Sequence, residues 1–361
     1  MESIRVLQVI TPSRLAGAEI YVGALSQALA ARGAEVVVLC KNVPQVVERM
    51  RQAGLDVRAG GIGGKLNLLS VFRLFHMLRK ERIELVNSHL STASLMAGLA
   101  GRLSGVPTVA TVHSLNSAAC FRLAGHLIAV SQAVKKHLVG QGIPPERITV
   151  IYPGVDLGLF SRSGNGSVVR QELGIPPQAV VVGMVGHLSR KKGHHILLSA
   201  AERIVAARPD CRFLIVGGGP LMDVLEQAAG NAGLGAHVIF TGFRADVRDM
   251  IEAMDIVVQP SVAGEGLPAS LLQAMALCKP VVASDLSGIP EIVEQDKTGL
   301  LVTPGDAGEL AEAVLKLARD GTLRAEMGSA ARERAETLFD FRVSVDRTLA
   351  LYEEMVERRR V

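Results

Sequence analysis

The sequence predicts an α/β protein made of two doubly wound, Rossmann-like parallel-sheet domains, and three observations carry that expectation. The chain has 361 residues, and a single ordinary domain holds roughly 100–200. Short apolar, β-branched runs alternate with helical periodicity from end to end. The runs are continuously apolar instead of alternating with polar residues, as in parallel strands covered by helices on both faces.

In chain order, strands are expected at 4–10, 36–39, 85–87, 108–112, 127–130 and 149–151. Helical spacing fills intervals such as 18–32 and 68–82. The run SRSGNGS at 161–167 has the clearest loop composition and is the expected linker. The alternation restarts with strands at 180–185, 213–216, 238–240, 256–258, 281–283 and 300–302. The expected domains are therefore 1–164 and 165–340. A terminal helix over 341–361 either crosses back onto the first domain or stays on the second. Its packing stripe would be Val343, Leu349, Leu351, Tyr352 and Met355. In doubly wound sheets ligands bind at the carboxyl ends of the strands.

Composition excludes several classes. A hydrophobic fraction of 48% against 20% charged residues describes a core-rich globule, not a disordered chain. The four cysteines lie far apart, with no metal-ligand spacing, and read as small core residues in a reducing compartment. No uncharged apolar run reaches membrane-spanning length, and the start lacks a signal peptide's layout, so a cytoplasmic location is expected. Residues 1–160 carry 17 Lys+Arg against 9 Asp+Glu, whereas residues 161–361 carry 22 against 26. The basic first half reads either as a solvated surface or as one that meets something anionic, a phosphorylated acceptor or the inner face of the cell membrane. With 3% aromatic residues, nucleic acid is not an expected partner.

The segment 259–293 is the most informative. A strand ends at Pro260, a loop holds the acid Glu265 among glycines, and a helix is expected to open at Pro268. The free N–H groups after it, at Ala269 and Ser270, favour an anion. An acid that grips hydroxyls beside a backbone phosphate site suits a phosphorylated sugar. Leu15–Glu19, after the first strand, has small residues that let the backbone approach a ligand. The loop Gly186–Gly193 holds Arg190, Lys191 and Lys192 at a strand's carboxyl end, where a diphosphate would relieve their repulsion. The cluster Val216–Pro220 fails the dinucleotide fingerprint at Met222, and GGIGGKL (60–66) fails as a phosphate loop. His113 and His89 end strands and read either as structural hydrogen-bonders or as groups facing a ligand; no metal site is expected. The stretch 65–82 combines apolar and basic residues, as in a membrane-surface helix or a core helix with a solvated side. Its apolar positions are too numerous for one stripe.

Together these pieces resemble the retaining glycosyltransferases of family four, which have the GT-B fold: two Rossmann-like domains facing across a cleft. The resemblance rests on 16–19, Thr111-Val112-His113, 129–131, 152–156, 186–193, 216–220, Pro260-Ser261, 265–276 and 280–283. It implies a nucleotide-diphosphate sugar, held mainly by the second domain without an obligatory metal or other cofactor. A UDP-sugar is expected ahead of a GDP-sugar. By position, Glu265 should meet donor-sugar hydroxyls, Gln273 the ribose, and Arg190 and Lys192 the diphosphate. The Gly17 backbone should close over that diphosphate, with His113 beside the reacting sugar as the second catalytic residue. Also implied at the donor are His187, Gly217, Gly266, Leu267 and Ala269. Three positions depart from the family pattern: Gln273 stands for an acid, His187 for an arginine and Pro268 for a glycine. The implied activity is sugar transfer to a glycan, lipid-linked or phosphorylated acceptor in lipopolysaccharide or exopolysaccharide synthesis. The alternatives are a nucleotide-sugar-binding protein with weak or no catalysis, and a nucleotide-sugar epimerase on the same architecture.

Overall fold

A computed structural model of the chain describes residues 3–64 and 67–360; Lys65 and Leu66 of the 65–82 stretch lie outside the described residues. The chain forms two compact units, Met1–Pro153 with Arg342–Val361, and Gly154–Phe341. The division falls ahead of the 161–167 loop, and hydrogen bonds explain why. Ser163 and Gly164 donate backbone N–H groups to the Glu252 carboxylate, which pins that loop within the second unit.

The first unit holds seven parallel strands: β1 (Arg5–Ile10), β2 (Glu35–Cys40), β3 (Asp56–Ala59), β4 (Leu85–His89), β5 (Thr108–Val112), β6 (His126–Ala129) and β7 (Ile148–Val150). Their order is β3-β2-β1-β4-β5-β6-β7. The strand missing from the sequence expectation is β3. It lies at the sheet edge with only Val57 buried, so its DVRA sequence offers no apolar run.

The second unit holds β8 (Val181–Val185), β9 (Arg212–Val216), β10 (Val238–Phe240), β11 (Ile256–Gln259), β12 (Val281–Ser284) and β13 (Gly299–Val302), in the order β10-β9-β8-β11-β12-β13. In each sheet the winding direction reverses once, between β1 and β4 and between β8 and β11. Loops leaving those strand pairs diverge to opposite faces and open a crevice at their carboxyl ends. The expected ligand-binding loops after β1, β8 and β11 all leave these reversal points.

The terminal helix Phe341–Arg360 belongs to the first unit except for its first residue. Val345, Leu351, Tyr352 and Val356 are its buried apolar side chains, while Val343 of the expected stripe is half exposed. Ser344 and Thr348 are buried in its place, because the face meets polar groups as well as apolar ones. Tyr352 is fully buried and receives a hydrogen bond from Gln8 Nε2 of β1 at 3.4 Å. Tyr352→Ala should therefore destabilise the protein by about 3–5 kcal/mol in urea denaturation. Tyr352→Phe, which keeps the packing and strands its polar partners, should lose about 1–3 kcal/mol.

Candidate functional site

The second unit's loops bring two of the expected residues into direct contact. Lys192 Nζ lies 2.8 Å from Glu265 Oε1, with side chains 16% and 7% exposed. The same Oε1 accepts from Ser261 Oγ at 2.7 Å. Gln259 Nε2 donates to Ser261 Oγ at 2.7 Å, and Ser270 Oγ donates to Gln259 Oε1 at 3.1 Å. The carboxylate is thus held by one cation and a relay of three neutral side chains. Its Oε2 has no hydrogen-bond partner among the described residues, which leaves an acceptor for a hydroxyl. The supporting roles of the Gln259 and Ser270 side chains were not read from the sequence, which singled out only the Ser270 N–H.

Local backbone geometry makes this meeting possible. Residues Arg190–Lys192 form one 3-10 turn that ends at Gly193, whose φ is 77°. A Cβ at Gly193 would lie 1.7 Å from the Pro260 carbonyl oxygen, so only glycine lets the two loops close together. Val262 N–H donates to the Lys191 carbonyl at 2.9 Å and ties them further. Pro268 caps the helix Ala269–Ala276 instead of occupying its first turn, with φ −71° and ψ 115°. The cap supplies no side-chain oxygen, so it leaves the first N–H groups of the helix without a capping acceptor.

Around this pair, Arg190 and Ala269 are exposed, His187, Leu267 and Gln273 are half-buried, and Gly266 is buried. Gly217 is fixed by packing as well. Its N–H donates to the Gly242 carbonyl at 2.8 Å, and a Cβ there would meet the Gly186 oxygen at 2.0 Å. It is a packing glycine whose amide is already engaged.

In the first unit, Gly17 opens the helix Gly17–Ala31 and is exposed. A Cβ added there would meet nothing within 4 Å, so packing does not demand glycine. His113, just beyond β5, sits in a buried polar chain. His89 Nδ1 lies 3.0 Å from His113 Nε2, and His89 Nε2 lies 2.9 Å from Gln8 Oε1. Asn87 Nδ2 stands 3.1 Å from that Nε2, and Thr111 Oγ1 donates to Asn87 Oδ1 at 3.1 Å. Register explains the gathering: β1 pairs Gln8 with Asn87, β4 pairs His89 with Thr111, and side chains two apart share a face. Tyr21 packs edge-on to His113 with ring centroids 5.5 Å apart.

Burial lowers the His113 pKa to about 4 and that of His89 well below its usual value, so both rings are neutral at pH 7. Gln8 Oε1, an acceptor, and Asn87 Nδ2, a donor, both face His89 Nε2; we assign the proton to that nitrogen on the shorter contact, to Gln8, which makes the Asn87 approach a contact and not a hydrogen bond. In that assignment His89 Nδ1 accepts from His113 Nε2–H, and His113 Nδ1 is the unprotonated nitrogen. His194, buried at the start of the helix His194–Ala207, is also held down to about 4 by desolvation and the nearby Lys192 charge. Among the described residues no group of three or more His, Cys, Asp or Glu side chains could hold a metal ion. No described helix is long and apolar enough to cross a membrane.

Similarity to known proteins points the same way. Residues 167–334 match the profile described as glycosyl transferases group 1, and residues 15–159 match glycosyltransferase family 4. The chain is 28% identical over 312 residues, 80% of each chain, to the UDP-Gal:alpha-D-GlcNAc-diphosphoundecaprenol alpha-1,3-galactosyltransferase of Escherichia coli. It is 29% identical to D-inositol 3-phosphate glycosyltransferase 1 of Catenulispora acidiphila, over 98% of this chain and 91% of that one. Among solved structures, HepE of Anabaena in complex with UDP-glucose superposes with a TM-score of 0.88 at 26% identity, covering 97% of this chain and 99% of that one.

Two measurements test this geometry. Nitrogen-15 NMR of histidine-labelled protein at pH 7 should show His89 protonated on Nε2 and His113 on Nε2, both neutral; an imidazolium at either would refute the assignment. Stability should also fall as pH drops from about 6.5 to 4. The unfolded chain takes up protons there that His113 and His194 refuse in the fold. Each contributes a slope of up to about 1.4 kcal/mol per pH unit, measurable as urea midpoints at pH 7 and pH 5.

Proposed function

The chain belongs to the group 1, family 4 glycosyltransferases of GT-B fold, and from that premise we propose that it transfers a sugar from a UDP-sugar to an acceptor hydroxyl with retention of anomeric configuration. The observation that carries the reading is the Lys192–Glu265 pair, whose acid stands four residues ahead of the helix that opens at Ala269. The pairing sets one carboxylate oxygen aside for the cation and leaves the other for a donor-sugar hydroxyl. Exposed Arg190 and Lys191, with Lys192, supply positive charge for the departing diphosphate. No metal is needed for that role in this reading.

The acceptor oxygen forms a bond to the anomeric carbon as the bond from that carbon to the diphosphate oxygen breaks. The acceptor proton passes to the departing phosphate oxygen. Attack from the face the diphosphate leaves gives retention without a covalent enzyme intermediate. Glu265 grips the sugar instead of attacking it, because its Oε1 is already bonded to Lys192 and Ser261. His113 offers the Nδ1 lone pair to a sugar hydroxyl. Gln273 would meet the ribose as a neutral partner. Binding of UDP and UDP-glucose by HepE supports uridine as the donor base. The Escherichia coli relative, whose name specifies a diphosphoundecaprenol-linked sugar, supports a lipid-linked acceptor.

A thermal-shift screen across UDP-, GDP- and ADP-sugars should show one responding nucleotide family, uridine. A ligand at a hundred times its Kd stabilises the fold by about 2.7 kcal/mol. Glu265→Gln, which keeps shape and loses charge, should lower kcat by roughly 10²–10³-fold while donor still binds. Lys192→Met should weaken donor binding as well. Donor binding without transfer by the unaltered protein, across lipid-linked acceptors, would leave a binding protein and overturn the catalytic reading.

A further inference from the structure

The helix Leu68–Lys80 resolves the surplus of apolar residues by forming two faces. Ser70, Val71, Leu74 and Leu78 are buried, and the last three join the first unit's core. Leu68, Leu69 and Phe72 point the other way and are 75%, 65% and 59% exposed. At 3.6 residues per turn they share the outer face with Arg73, His76, Arg79 and Lys80, all exposed. That face is therefore apolar over its first turn and basic along the rest.

Two further observations single this face out. The helix contains no Asp or Glu, and no ion pair among the described residues takes up Arg73, Arg79 or Lys80. Its aromatic and basic groups are also packed together: the Phe72 and His76 rings meet edge-on at 4.5 Å, and the Arg79 guanidinium lies 5.8 Å from the Phe75 ring centre. A helix that docks in a protein groove carries apolar anchors at i, i+4 and i+7 or beyond. Here the outer face holds His76 and Arg79 where later anchors would stand. An apolar first turn followed by cations fits the graded boundary of an anionic bilayer instead, with acyl chains below and phosphates above.

We propose that the first unit rests on an anionic lipid surface through this helix. Leu68, Leu69 and Phe72 enter the interface, and Arg73, His76, Arg79 and Lys80 face the lipid phosphates. The inference stands on the helix alone and does not depend on the proposed reaction.

Co-sedimentation of the full chain with vesicles tests it. The protein should bind phosphatidylcholine vesicles containing phosphatidylglycerol, should not bind pure phosphatidylcholine, and should be released by salt. Arg73→Glu with Arg79→Glu should lower the partition coefficient at least roughly 25-fold, since each cation near such a surface contributes about fivefold. Leu69→Ser with Phe72→Ser should also weaken binding; both side chains are exposed, and an unchanged urea midpoint would show that the fold persists. Lys316→Glu, in the second unit, should leave binding unchanged. Equal binding to both vesicle types, binding to neither, or variants that bind like the original chain would each overturn the proposal. A self-association abolished by Leu69→Ser with Phe72→Ser would also overturn it, by assigning the face to a second copy.

Discussion

A lysine and a glutamate withdrawn together from water are the interaction on which the candidate site depends. Their attraction is strong at 2.8 Å, but removing both charges from water costs most of what it yields. The pair therefore contributes orientation more than stability. It holds the carboxylate in one position, with one oxygen engaged and the other available. The Ser261, Gln259 and Ser270 relay completes that orientation from the strand and helix on either side. The pairing is available only because β8 and β11 are neighbours in space, so that loops about seventy residues apart in sequence leave the sheet side by side. Gly193 is the hinge of the arrangement, since any side chain there would collide with the Pro260 carbonyl.

The first unit solves a related problem by the opposite means. Its polar groups at the strand ends are neutral, and Gln8 bonds to His89 and Tyr352 while Thr111 bonds to Asn87. Burial keeps the two imidazoles uncharged, and a buried neutral network has a directional order that a solvated one lacks. Tyr352 connects this network to a helix that the chain completes only after passing through the whole second unit. The first unit's strand-end histidines are thus positioned in part by the last residues of the chain.

The fold was largely legible because parallel strands covered on both faces must be apolar throughout, and such runs stand out against amphipathic helices. The edge strand β3 was not legible, because one covered face and two exposed flanks leave no such run. The loops after β1, β8 and β11 stood out in the sequence by their small residues, cations and an acid at strand ends. Partners did not. Nothing in the spacing of Lys192 and Glu265 says that they touch, that Gly217 spends its amide on Gly242, or that Pro268 caps a helix instead of entering it.

By itself, the sequence determined the alternation of strand and helix, the two-domain architecture and the residue types gathered at the strand ends. Those follow from local periodicity and from the chemistry each side chain carries wherever it lies. Tertiary structure decided which groups meet, which ring nitrogens hold protons, and which apolar residues of the Leu68–Lys80 helix stay outside the core. Those outcomes depend on distance and desolvation between segments far apart in the chain, and periodicity along one segment encodes neither.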